Sequence, residues 1–72
     1  MNGAELIRRI TQLGKERGVP VRFEARQGKG SHGRLYYGDC FTTVKDRKKE
    51  LGKGLLHAML KQLGLTRRDI ER

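Results

Sequence analysis

Apolar positions in the first eighteen residues recur at helical spacing. Leu6, Ile7, Ile10 and Leu13 fall on one side, and Arg8, Arg9, Gln12, Lys15 and Glu16 take the other. The pattern predicts an amphipathic helix over roughly residues 3–17. Asn2 is placed to cap its start, with Glu5 three positions on, and Gly18 followed by Pro20 marks its end. The period then changes to two. Val21, Phe23 and Ala25 alternate with Arg22, Glu24 and Arg26, as in a half-buried strand. "HGRLYY" and "CFTTV" give two further strands, joined by Gly38-Asp39, which suits a two-residue type II′ hairpin turn. That turn sets a register in which Tyr37 opposes Cys40, Tyr36 opposes Phe41, Leu35 opposes Thr42 and Arg34 opposes Thr43. One face then carries Gly33, Leu35, Tyr37, Cys40, Thr42 and Val44, the set suited to meet helices. The other carries His32, Arg34, Tyr36, Phe41, Thr43 and Lys45 and is open, basic and aromatic.

Helical spacing returns in "LLHAMLKQLG". Leu55, Leu56, Met59, Leu60 and Leu63 form its apolar stripe, Lys53, His57 and Lys61 a separate outer stripe, and Gly64 its stop. Thr66 and Asp69 are spaced to cap one last helical turn. The order predicts an α+β domain, α-β-β-β-α, with a three-stranded antiparallel sheet and two helices on one face. At 72 residues, 35% of them hydrophobic, the chain is expected to be one domain over 1–72 with a thin core and no deep substrate cavity.

Charge changes the picture most. Seventeen Lys and Arg against eight Asp and Glu leave +9. That excess strains a compact fold by self-repulsion and points to a polyanionic partner, nucleic acid first. The lone cysteine, Cys40, excludes an internal disulfide and, with only His32 and His57 to join it, a cysteine-based zinc site. No apolar stretch reaches membrane-spanning length, and the opening lacks the apolar run of a secretory leader, so a cytoplasmic protein is expected.

The densest chemistry lies in "GKGSHG", residues 28–33. It is not a nucleotide-binding P-loop, because a strand and not a helix follows and the lysine precedes the second glycine. His32 admits three readings: a solvated strand residue, a structural hydrogen-bond partner, or a general acid or base. Its expected neighbours Lys29, Arg34 and Arg26 favour the last, since the same cations would hold a phosphate. Ser31 is better read as a turn hydroxyl than as a nucleophile, because adjacent strand residues face opposite ways. RNA is the polyanion that needs least machinery, since its 2′-OH is a built-in nucleophile. The carboxylates are scattered, with no convergent pair for Mg²⁺, so neither metal nor cofactor is expected. "KDRKKELGK" adds Lys48, Lys49 and Lys53 near a helix start, suited to phosphates or simply solvated. Tyr36 and Phe41 offer stacking surfaces for unpaired bases.

"GKGSHG" with its Gly30-Ser31-His32 core, "TTVKDRKKELGKGLL" and "LKQLGL" together resemble the HicA family, small RNA-cleaving toxins of bacterial toxin–antitoxin pairs. The resemblance spans nearly the whole chain. It implies a fold like the double-stranded-RNA-binding domain, with His32 as the catalytic histidine of a metal-independent ribonuclease acting on mRNA. It also implies a HicB-like antitoxin that covers His32. Many members carry a proline and a second histidine after the third strand, where this chain has Val44-Lys45-Asp46-Arg47. The alternative is a non-catalytic module that holds double-stranded RNA, or a basic face that serves only an acidic protein partner.

Overall fold

The computed structural model describes residues 1–25 and 32–71. Helix α1 (Gly3–Arg17) leads into an antiparallel sheet of β1 (Val21–Ala25), β2 (Gly33–Tyr37) and β3 (Cys40–Val44), followed by α2 (Lys53–Gln62) and the single turn α3 (Arg67–Ile70). Strand order is β1-β2-β3, so β2 is central and β3 is an edge. This is the α+β order that the periodicities predict.

Local chemistry accounts for the boundaries. The Asn2 side chain accepts from the Glu5 backbone N–H at 2.9 Å, satisfying one of the donors that a helix start leaves unpaired. Gly18 ends α1 in the left-handed region at φ +69°, where a side chain would be strained. Gly38 turns the hairpin at φ +61° while Asp39 keeps a negative φ, the signature of the II′ turn. All four expected β2–β3 pairs form.

The helices cover one face of the sheet. Leu6, Ile10 and Leu13 of α1 and Leu56, Met59 and Leu60 of α2 meet Leu35 and Val44, with Leu63, Leu65 and Ile70 closing the cluster. Thr42 is buried among them, and its hydroxyl donates to Gln62 Oε1 at 2.6 Å, so no polar atom there is left unsatisfied. Three expected core positions differ. Leu55 is 55% exposed, because Leu56, Met59, Leu60 and Leu63 already fill the i, i+3, i+4, i+7 face and Leu55 stands one step round from it. Cys40 and Ala25 are exposed although they alternate onto the covered side, since each sits at the end of its strand. His32 immediately precedes β2 and is not its first residue.

The loop between β3 and α2 is tied to the start of α1. Ala4 N–H donates to Arg47 O at 2.9 Å, Leu51 N–H donates to Met1 O at 2.8 Å, and Asn2 bridges Glu50. The Met1 ammonium also pairs with the Glu50 carboxylate.

At the far end, Thr66 and Asp69 form the expected capping box, and Arg17 reaches Asp69 at 2.6 Å. The Thr66 backbone N–H, then the Arg17 guanidinium, hold the Asp69 carboxyl below its ordinary range. A carboxyl depressed in the folded state contributes stability above its unfolded pKa of about 3.9 and loses it as pH falls through the folded value. Acid titration followed by amide exchange should therefore release α3 below about pH 4 in the wild type. Asp69→Asn should flatten that dependence. An unchanged acid profile in the variant would remove Asp69 from the account.

Candidate nucleic-acid interface

The sheet face turned away from the helices is built by strand alternation. β1 contributes Arg22 and Glu24, β2 contributes Arg34 and Tyr36, and β3 contributes Phe41 and Thr43. Register sets their neighbours: Arg22 opposes Tyr36, which opposes Phe41, and Glu24 opposes Arg34, which opposes Thr43. The Tyr36 and Phe41 rings meet tilted at 41° with centroids 5.7 Å apart. The Arg22 guanidinium lies 4.6 Å from the Tyr36 centroid and that of Arg34 lies 5.0 Å from the Phe41 centroid. The rings thus hold two cations flat against the sheet, through attraction to their quadrupoles. Arg22 also pairs with Glu24 at 3.4 Å, an exposed contact worth little by itself.

His32 stands at the head of the central strand and is exposed. It adjoins Gly33, whose partners are Ala25 on one side and Val44 on the other. An open cavity of about 280 Å³ lies on this face, between Glu24, Ala25, Arg34 and Tyr36. Arg26 and Lys29 lie outside the described residues. Lys48, Lys49 and Lys53 form a second group, all exposed, on the anchored loop and the first residue of α2. The Asp46 carboxylate accepts from the Lys48 backbone N–H at 2.9 Å and shapes this loop. Among the described residues no three His, Cys, Asp or Glu side chains gather as metal ligands. Among the same residues no helix is long and apolar enough to cross a membrane.

A search of curated proteins and a search of solved structures returned no match. The family model for the HicA toxin of bacterial toxin–antitoxin systems matches residues 3–65, from the start of α1 to the residue after the Gly64 stop. The chain belongs to the HicA toxin family. A HicA toxin has a cognate antitoxin as its partner.

In this HicA protein the structure brings Arg34, Tyr36 and Phe41 onto one surface, with His32 exposed beside it; Lys48 and Lys49 are exposed on the loop after β3, where Lys49 shares a groove with Thr43, and Lys53 is exposed at the start of α2. Sequence reasoning missed Arg22. Alternation puts it on the outer face, but only the β1–β2 register puts it over Tyr36, and the long glycine-rich connection between those strands sets no register of its own. Nor does the sequence show what Arg47 does, since it lies in the run suited to phosphates or simply solvated. Arg47 is half-buried, lies 5.2 Å from the Phe23 ring centroid, and through its carbonyl holds the start of α1.

Proposed function

We propose that this toxin is a metal-independent endoribonuclease that cuts mRNA, with His32 as the proton-transfer group. The observation that carries the reading is an exposed imidazole at the rim of an open face that joins Arg22 and Arg34 to two aromatic rings. Such a face suits single-stranded RNA: guanidinium and ring planes stack with bases, and cations follow the phosphates. Arg34 steadies the scissile phosphate, with Lys29 and Arg26 assigned the same task from sequence. Lys48, Lys49 and Lys53 contact the backbone further along.

In the reaction His32 takes the proton of the 2′-OH or delivers one to the leaving oxygen, and solvent water carries the other transfer. The 2′ oxygen forms a bond to the adjacent phosphorus, and the bond from phosphorus to the 5′ oxygen breaks. The 5′ oxygen leaves protonated. Products therefore end in a 2′,3′-cyclic phosphate and a 5′-hydroxyl. The antitoxin is proposed to be HicB-like and to silence the toxin by covering His32.

Incubating a mRNA fragment with the protein in EDTA should give shorter products, and end analysis should find cyclic phosphates. RNA that is bound but intact, with affinity falling steeply in salt, would replace this reading with the non-catalytic module.

A further inference from the structure

The edge of β3 offers free backbone groups and an apolar groove, to which the RNA reading assigns no role, although it shares the lysines at the groove's rim. β3 pairs only with β2, and among the described residues none of its backbone groups bonds to any other segment. In a two-residue hairpin the closing pair, Tyr37 and Cys40, exchanges hydrogen bonds, and the pattern then alternates. The N–H and C=O of Phe41 and Thr43 are thereby turned to the free edge, open to a further strand. Alongside this edge runs a groove of about 200 Å³, lined by Thr43, Lys45, Lys49, Leu51, Leu55 and Met59. Its floor is apolar, and Leu55 is one of two large apolar side chains left exposed among the described residues.

The rim is basic. The two carboxylates that also border the groove are already engaged: Asp46 accepts from the Lys48 backbone and Glu50 pairs with the Met1 ammonium. Lys45 and Lys49 make no ion pair among the described residues, and Lys48 and Lys53 are exposed close by in sequence. We propose that this groove anchors the cognate antitoxin, taking an extended acidic segment that pairs along β3 and seats one bulky apolar side chain on Leu51, Leu55 and Met59. Free backbone donors and acceptors call for a peptide, the apolar floor for a hydrophobic anchor, and the lysines for flanking carboxylates. The inference rests on the family's toxin–antitoxin pairing and not on the ribonuclease reading.

The test uses the protein encoded beside this chain as the antitoxin probe. Leu55→Glu should bind it at least tenfold more weakly, mainly through faster dissociation. The exposed position and the first-turn placement in α2, where a carboxylate is favoured, keep the variant folded. Lys49→Glu should also weaken binding and lower its salt dependence. Amide exchange at Phe41 and Thr43 should slow in the complex. Leu55→Glu should cut RNA as the wild type does, so failed cleavage by the wild type would count against the ribonuclease reading alone. Binding of both variants within twofold of the wild type would overturn the proposal. So would absence of binding by the wild type, or a change in the free toxin's own oligomeric state on Leu55→Glu, which would make the groove a contact between copies.

Discussion

Replacing His32 with alanine should lower RNA cleavage by about 10²–10⁴-fold, the usual contribution of a positioned acid or base, while leaving the fold almost untouched. His32 is exposed and precedes β2, so it contributes no core volume and, among the described residues, no ladder hydrogen bond. Surface changes of that kind stay within about 0.5 kcal/mol. RNA affinity should persist too, because the cations held by Tyr36 and Phe41 do not depend on His32. The variant would therefore bind RNA and fail to cut it, a split that a merely structural histidine does not give. His57, the other histidine, is exposed on α2, and His57→Ala serves as a control that should cut normally. In a bacterial host the wild type should arrest growth with loss of mRNA, and His32→Ala should not. Equal toxicity from the two would remove His32 from the mechanism and leave the fold standing.

What could be read from the chain divides by the range of the interaction. Asn2, Gly18, Gly38-Asp39, Gly64 and the Thr66–Asp69 box each act within a few residues, and each does in the structure what its chemistry predicts. The II′ turn carries that local information further, since a two-residue loop leaves one register, and the register decides which side chains share the open face. Beyond it, contacts between distant segments were not legible. Nothing near Lys45 to Glu50 shows that the loop is held by Met1 and Ala4, so the run hides an anchored backbone beneath lysine side chains that are exposed. Leu55 illustrates the opposite error. Its spacing fits a core stripe, but a thin core has one face to fill, and four neighbours fill it. For the candidate site, the aromatic and basic character of the face was legible, whereas the pairing of Arg22 with Tyr36 waited on a β1–β2 register that no short turn defines.

The second large effect concerns the glycine that follows His32. Gly33→Ala should destabilise the protein by about 2 kcal/mol, within the 1–3 kcal/mol typical of overpacking, which for a domain of this size lowers Tm by about 8–16 °C. Glycines in "GKGSHG" suggest a need for flexibility, but at Gly33 the structure shows a need for space. A Cβ there would stand 2.4 Å from Phe23 Cζ and 2.7 Å from the Glu24 carbonyl oxygen. The residue cannot retreat, because β2 is central and Gly33 is held by Ala25 on one side and Val44 on the other. The Phe23 ring could yield only by leaving its place beside the Arg47 guanidinium and the core. Shortening that ring should therefore return part of the loss. In a double-mutant cycle Gly33→Ala should cost less in a Phe23→Leu background, with the Glu24 carbonyl accounting for what remains. Because His32 is joined directly to the displaced residue, cleavage should fall further than the folded fraction does. A neutral or stabilising Gly33→Ala would mean that the two strands separate at little cost there, and His32 would then stand on a movable strand end and not on a fixed one.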